Sequence, residues 1–421
     1  MNNAFLKSFQ TLKSVYEERA FSSIALNKTL EYCTAQDRAL VTKLVYGVLD
    51  NDILLQYILS KFVRKMPKGD TLIILKMGVY CLQNLSIPVY AVVNDFAELA
   101  KITEDIRQVG FVNATLKSIS KSIETFNEYP DDEFLRVSVI NSYPQWALKK
   151  LLKDYGKDDA YKIASYRNDD SACLRIANTE KTADLLANFS NVTPTVFADA
   201  YKVSGKIPPL NADFTLQSLS SMAVCKATAA LVKSKFLDCC AAPGGKSVYI
   251  KQLCRNASVV ACDIHPHRVE LINSYASRMG VALETRCLDM SIQHEEFNAA
   301  FDTVLCDVPC SGFGVLDNRP DIKLFRESMD IATLMKLQYS ILCNAANYVT
   351  VGGHLVYSTC TVFDNENGQN IRKFLAEHPN YTYGEITIDE LPQTHNQSFY
   401  QFLPHKDGMQ GFYLAVLKRV G

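Results

Sequence analysis

The chain has 421 residues, 44 of them basic and 45 acidic, with 48% hydrophobic and 21% charged positions. This is an ordinary globular composition, and the length exceeds what one simple core needs, so two or three domains are expected. A net charge of −1 gives no general attraction to polyanions; residues 236–421 hold 15 basic against 20 acidic side chains, so affinity for nucleic acid has to come from local patches in the first half.

The opening stretch MNNAFLKSFQTLKSVYEERAF lacks the basic-then-apolar pattern of an export signal. Thirteen cysteines in such a chain point to a reducing, cytoplasmic setting with free thiols. No Cys-x-x-Cys pair occurs, so no structural zinc or other metal is expected. The longest uncharged run, Met77 to Asn94, is broken by Gln83, Asn84, Ser86 and Pro88, which reads as a buried helix plus a turn and not as a membrane span.

Residues 1–125 read as helical. AQDRALVTKLVYGVL sets Leu40, Val41, Leu44, Val45 and Val48 on one stripe, and DILLQYILSKFV does the same with Leu54, Leu55, Ile58, Leu59 and Phe62. RKMPKGDT is a basic turn between helices. Residues 126–215 read as a small α/β linking region, in which a short helical piece (Pro144 to Tyr155) leads into the strand-like and helical segments ACLRIAN, KTADLLANF and TVFADAYKV. From 216 to 421 strands and helices alternate: KFLDCC, KSVYIKQLC, SVVACD, HRVELINSYASRMG, LETRCLD, FDTVLCDVP, ATLMKLQYSILCNAANYV, GGHLVYSTC. That order predicts a doubly wound parallel sheet.

Ligands of such sheets bind beyond the C-terminal strand ends where strand order reverses. FLDCCAAPGGKSVYI has the matching form: a strand to Asp238 or Cys239, a tight loop with Gly244 and Gly245, and a helix from about Lys246. It is neither Gly-x-x-x-x-Gly-Lys-Ser/Thr nor Gly-x-Gly-x-x-Gly, so a phosphate cradle is disfavoured. Lys246 opposes the helix dipole, which suggests that it faces a carboxylate or a substrate anion. The next strand ends on Asp263, nineteen residues after Gly244, where a carboxylate can accept both ribose hydroxyls of a nucleoside. The third ends at Asp289, suited to an adenine amino group, and the fourth at Asp307.

Cys310 and Cys360 also stand just past predicted strands, beside Pro, Gly, Ser and Thr, whereas Cys239, Cys262, Cys306 and Cys343 sit inside apolar runs and read as core. If the strands FDTVLCDVP and GGHLVYSTC are neighbours, two sulfurs fifty residues apart share one cleft.

DCCAAPGGKS, DVPCSGFG…NRPDIK and YSTCTVFDNEN resemble the motif series of RNA cytosine-5 methyltransferases that use S-adenosylmethionine, and LVYGVLDNDILLQYILSKF, VNDFAELAK and FVNATLKSI resemble the NusB-like domain of the RsmB (Sun) branch, which modifies bacterial small-subunit ribosomal RNA. The resemblance implies an all-α NusB-like RNA-binding domain, a linking α/β region and a Rossmann-like methyltransferase domain. It implies Cys360 as the nucleophile that adds to carbon 6 of cytosine, Cys310 as the group assisting proton removal and product release, and Asp307 as a partner of the cytosine edge. Cys240, Ala241, Ala242, Pro243, Gly244, Gly245, Lys246, Asp263, Asp289 and Asp307 would line the S-adenosylmethionine site. Three positions depart from the family pattern: Val308 replaces Ala or Pro, Asp317 a commonly basic residue, and Ser218 an acidic one.

The target has to be unpaired or flipped out, because a duplex hides the carbon 6 face. Lys61, Arg64, Lys65 and Lys68 are candidate RNA contacts, and a monomer suffices. A transfer RNA substrate, or a non-catalytic RNA-binding assembly factor, are the alternatives. A DNA cytosine-5 methyltransferase would carry its nucleophile in Pro-Cys and have no need of Cys360, and adenine or guanine N-methyltransferases carry Asn/Asp-Pro-Pro-aromatic where this chain has Asp-Val-Pro-Cys.

Overall fold

In the computed structural model, which describes residues 3–103, 106–123, 126–168, 171–205 and 207–421, the apolar stripes of the first third close into a helical bundle. Its helices are α1 (Asn3–Glu18), α2 (Ser22–Glu31), α3 (Ala35–Asp50), α4 (Asp52–Phe62), α5 (Gly69–Asn84), α6 (Val89–Thr103), α7 (Ile106–Ser120), α8 (Glu133–Ile140) and α9 (Gln145–Ser165). Val41, Leu44, Val45 and Val48 of α3 and Leu55, Ile58 and Leu59 of α4 are fully buried with Phe5, Leu12, Leu75 and Phe96, as helical spacing requires of a core-facing stripe. Thr34 accepts from the Asp37 amide and Asp132 from that of Leu135, capping α3 and α8. The turn between α4 and α5 leaves Lys61, Arg64, Lys65 and Lys68 exposed.

The chain forms two compact units, Met1–Ser165 with Leu316–Glu327, and Tyr166–Val315 with Ser328–Gly421. The divisions expected at 125/126 and 215/216 stand beside this one at 165/166; of the residues at the first of these, Glu124 and Thr125 lie outside the described residues. Residues beyond it stay with the bundle because the Leu54 amide donates to Ser142 Oγ and the Tyr57 hydroxyl to the Glu128 carbonyl, both at 2.9 Å. The excursion 316–327, carrying the single-turn helix α14 (Ile322–Phe325), is also part of the first unit. Leu324 and Phe325 pack on the bundle core. Lys323 Nζ donates to the Asp50 carbonyl at 2.6 Å and its carboxylate at 2.5 Å, and the Ser22 hydroxyl donates to Asp321.

The second unit opens with a four-stranded antiparallel sheet in the order β2-β3-β1-β4, from β1 (Ala172–Ile176), β2 (Asn191–Pro194), β3 (Ala200–Ser204) and β4 (Phe214–Leu216), with α10 (Thr182–Leu186) between β1 and β2. It is tied to the remainder of that unit through Arg175, which donates to Gln252 at 2.7 Å, and Asp199, which accepts from the Tyr249 hydroxyl at 2.6 Å.

The larger sheet contains β5 (Lys235–Asp238), β6 (Ser258–Asp263), β7 (Glu284–Cys287), β8 (Phe301–Asp307), β9 (Val349–Thr359), β10 (Tyr381–Tyr383), β11 (Phe399–Phe402) and β12 (Phe412–Arg419). Its order is β10-β12-β9-β8-β5-β6-β7, with β11 also on β12. Strands β7, β6, β5, β8 and β9 are mutually parallel, whereas β12 runs antiparallel to β9, β10 and β11. The parallel sheet that the sequence predicts is present in these five strands, and β12 adds antiparallel pairings to it. Alternate side chains serve the two faces: Val304, Cys306, Leu355 and Tyr357 face the core shared with Ile341, Leu342 and Ala345 of α15 (Ser328–Tyr348), while Leu305, Val356 and Leu414 face that of α11 (Leu219–Ala229) and α12 (Gly245–Leu253). Helices α13 (Pro266–Arg278), α16 (Gly368–Glu377) and α17 (Pro404–Asp407) complete the connections. Chain order reverses between β5 and β8, which puts a binding crevice at their C-terminal ends. Among the described residues no helix is long and apolar enough to cross a membrane.

Candidate active site

The loop after β5 is built on a buried carboxylate. Asp238 accepts from the Ser247 hydroxyl at 2.6 Å, tying the strand end to the first turn of α12. Gly244 caps that helix at φ +104°, and a Cβ there would lie 3.2 Å from the Ile272 Cα, so glycine is required twice over. Burial raises the Asp238 pKa to about 7, against the Ser247 hydrogen bond, with nearby Asp307 pushing the same way. The unfolded chain loses this proton near the ordinary aspartate value, whereas the folded chain keeps it up to about 7. Stability from this group therefore falls as pH rises through that window. Asp238→Asn is expected to flatten the decline in thermal unfolding temperature between about pH 4 and 7.

Asp263, at the end of β6, is buried; it accepts the amides of Ala242 at 3.4 Å and His265 at 3.3 Å and lies 3.4 Å from Arg268 Nη2. Asp289 stands two residues beyond β7, where one carboxylate oxygen takes both the amide (2.9 Å) and the hydroxyl (2.6 Å) of Ser291. Cys240 to Pro243 form the loop wall, with Gly245 opening α12.

At the end of β8 Asp307 accepts from Ser358 Oγ and pairs with Lys246 Nζ, each at 2.6 Å. Burial alone would lower the Lys246 pKa; the Asp307 charge and hydrogen bond outweigh it and raise it above the ordinary lysine value, with Cys360 adding to the pull. The Lys246 ammonium also lies over the Phe412 ring, 5.4 Å from its centroid.

Beside this pair the two half-buried thiols meet, Cys310 Sγ 3.2 Å from Cys360 Sγ. A hydrogen bond from Cys310 draws the Cys360 pKa below the usual cysteine value, against burial and Asp307, and Lys246 pulls the same way. The same bond, with burial, pushes Cys310 well above it. Cys360 is thus the more acidic of the two thiols and Cys310 the less. Their loops are pinned: Val308 N donates to the Ser358 carbonyl (3.1 Å), Gly314 N to that of Cys360 (3.0 Å) and Gly411 N to that of Gly314 (2.8 Å), while the rings of Phe313 and Phe363 lie 4.9 Å apart. Cys239, Cys262 and Cys306 are buried in the core and Cys343 is partly so.

The family model described as 16S rRNA methyltransferase RsmB/F matches residues 229–418, and that of the NusB family matches residues 4–121. A probable ribosomal RNA small subunit methyltransferase B of Bacillus subtilis is 32% identical over 98% of this chain and 98% of its own length. The chain belongs to the RsmB family. A ribosomal RNA small subunit methyltransferase B of Klebsiella pneumoniae is 28% identical over 97% of this chain and 96% of its own. The crystal structure of PH0851, 19% identical, shares the RsmB fold over 100% of this chain and 99% of that one, with a TM-score of 0.82. The activity of this RsmB-family chain is S-adenosylmethionine-dependent methylation of cytosine carbon 5 in RNA.

The crevice fits such a donor. Lys246 is paired with Asp307 and Arg268 lies against Asp263, so both cations of the cradle already have carboxylate partners, unlike those of a phosphate site. Around Gly245 a Cβ would meet only the Tyr275 hydroxyl, at 4.0 Å, so the first turn of α12 has room beside it. Two of the three RsmB pattern departures have a structural account: Val308 is a buried core residue, and Ser218 caps α11 by accepting from the Ser221 amide, as an aspartate would. Asp317 falls in the excursion 316–327.

Sequence reasoning missed the polar scaffold beneath the RsmB thiols: Ser358, Ser311, Thr361, Gln338 and Glu366. The polar run FDNENGQN, between a strand and an apolar helix, is where a signal lay. It also passed over Gly314, where a Cβ would fall 1.7 Å from the Gly411 carbonyl oxygen and 2.8 Å from that of Cys360. Gly314→Ala is expected to cost about 3 kcal/mol, at the upper end for overpacking because backbone blocks relaxation. A denaturant titration would show this as a lower midpoint, with methylation lost in parallel as the loops separate.

Proposed function

We propose that this chain methylates an unpaired or flipped cytosine of small-subunit ribosomal RNA through a transient bond between Cys360 and the base. The observation that carries the reading is the 3.2 Å thiol pair beside the Lys246–Asp307 ion pair. Cys360, the more acidic of the two thiols, adds to carbon 6 as its thiolate; electron density then moves to carbon 5, which is too weak a nucleophile in the free base. Asp307 receives the cytosine edge and favours protonation at N3 as the sulfur adds. Cys240 through Lys246, Asp263, Asp289 and Asp307 line the donor site, with Asp263 on the ribose hydroxyls. When bound, S-adenosylmethionine supplies the electrophilic methyl group. Once Cys360 is bonded to carbon it no longer fixes a proton on Cys310, which loses that proton to solvent and becomes the base. Cys310 takes the carbon 5 proton, the released electron pair restores the C5–C6 double bond, and the C6–S pair returns to Cys360.

Exposed Lys61, Arg64, Lys65 and Lys68 and the small β1–β4 sheet are the surfaces assigned to RNA backbone and shape. Bisulfite sequencing of RNA from a deletion strain tests the substrate: one small-subunit cytosine loses its methyl group if the reading holds, and loss confined to transfer RNA overturns it. Failure of the purified chain to bind S-adenosylmethionine in calorimetry would instead leave an assembly factor.

A further inference from the structure

Glu366 is fully buried, yet the chemistry assigned above gives it no part. Three donors converge on its carboxylate. Oε1 accepts from Ser311 N at 2.8 Å and Gln338 Nε2 at 2.9 Å, and Oε2 accepts from the Ser311 hydroxyl at 2.6 Å. Because the Ser311 proton is committed to Glu366, the 2.8 Å contact between Ser311 Oγ and Thr361 Oγ1 runs the other way, with Thr361 donating. Ser311 follows Cys310 in the chain, and Thr361 follows Cys360. The carboxylate therefore orients a bridge between the residues next to the two thiols. Gln338 is fixed in turn: its Oε1 accepts from Asn370 at 3.1 Å, leaving Nε2 to reach both Glu366 and the Pro309 carbonyl at 2.9 Å. The Tyr357 hydroxyl holds the Glu366 backbone carbonyl at 2.6 Å. A buried charge is costly, and a core shaped for stability alone would place an apolar side chain there.

We propose that Glu366 is a positioning residue for the second half of the reaction. By holding Ser311 it sets the Pro309–Ser311 turn so that the Cys310 sulfur stays against Cys360 while the carbon 5 proton departs. This rests on the role assigned to Cys310 above, which the test keeps separate.

Glu366→Gln preserves shape but replaces one accepting oxygen by an NH2 group, which then faces either the Ser311 hydroxyl or the Ser311 amide and Gln338. With RNA and S-adenosylmethionine it is expected to slow turnover roughly 100-fold and to accumulate a methylated Cys360–RNA adduct on denaturing gels, as Cys310→Ala does. Adding Glu366→Gln to Cys310→Ala should cost nothing further. Ser311→Ala, which leaves the carboxylate in place, guards against a folding failure and should show the same stall in weaker form. In the RNA-free protein, alkylation by iodoacetamide with peptide mapping should find Cys310 more reactive in both variants. The proposal is overturned if Cys310→Ala traps the adduct while both variants turn over at the wild-type rate, or lose adduct and turnover in proportion as a general packing defect would. Should Cys310→Ala trap nothing, the role given to Cys310 fails and the alkylation pattern decides alone. Raised Cys310 reactivity then supports the positioning of the loop, and unchanged reactivity overturns it.

Discussion

Cys360→Ala is expected to abolish methylation, by on the order of 10⁴-fold or more, as removal of a covalent nucleophile does elsewhere. The structure offers no substitute. Cys310 is 3.2 Å away, but burial raises its pKa and its loop is tied to β9 and Gly411 by backbone bonds, which hold its sulfur where it stands. The substitution should leave the fold intact, because Cys360 is only partly buried and its backbone carbonyl keeps its bond from Gly314. S-adenosylmethionine affinity and unfolding temperature should therefore match the parent while trapping by 5-fluorocytosine RNA disappears. A variant that still methylates at the parental rate would refute covalent catalysis from this sulfur.

Cys310→Ala is expected to fail differently, forming the adduct and then holding it. Losing a general base costs roughly 10²–10⁴-fold in the step it serves, and in the proposed mechanism that step comes after methyl transfer. The enzyme–RNA complex should survive denaturing electrophoresis, carry a methylated base and release it slowly. A second consequence concerns pH. The Cys310 hydrogen bond is the leading influence that lowers the Cys360 pKa. Without it that pKa rises, so the acid limb of adduct formation moves to higher pH. Measuring the first turnover between pH 5 and 9 checks the sign; a limb that stays put or moves down contradicts it.

How far these features could be read in advance depended on whether they were local. DCCAAPGGKS announces a strand, a tight turn and a helix within ten residues, and the structure places β5, Gly244 and α12 there. The helical stripes of α3 and α4 were equally plain, since 3.6-residue spacing is a local property. The antiparallel β12 was not: FYLAVLKR is buried at six of its eight positions, and a continuous apolar run reads the same in either direction. Asp289 marks the limit from another side. Its position after a strand was legible, but its commitment to Ser291 depends on a turn that spacing alone does not reveal. Glu366 lay in a run that looks like solvent-facing loop. Only the parallel pairing of β8 with β9 brings Ser311 onto it across 55 residues. The excursion was hidden for a related reason. Residues 316–327 come directly after the Pro-Cys motif, and nothing in their composition says that Leu324 and Phe325 are core of a different unit.

That excursion makes the two units hard to separate by cutting the chain. A protein shortened to begin at Tyr166 would retain Leu324 and Phe325 but lose their apolar surroundings, together with the carbonyl and carboxylate of Asp50 that receive Lys323. The resulting sticky, charged flap would start six residues after Cys310, so truncation would invite aggregation and slacken the very turn that carries this thiol. Evolution by swapping RNA-reading modules onto this enzyme would need to replace two pieces of sequence at once, which ties the inheritance of the bundle to that of the catalytic half.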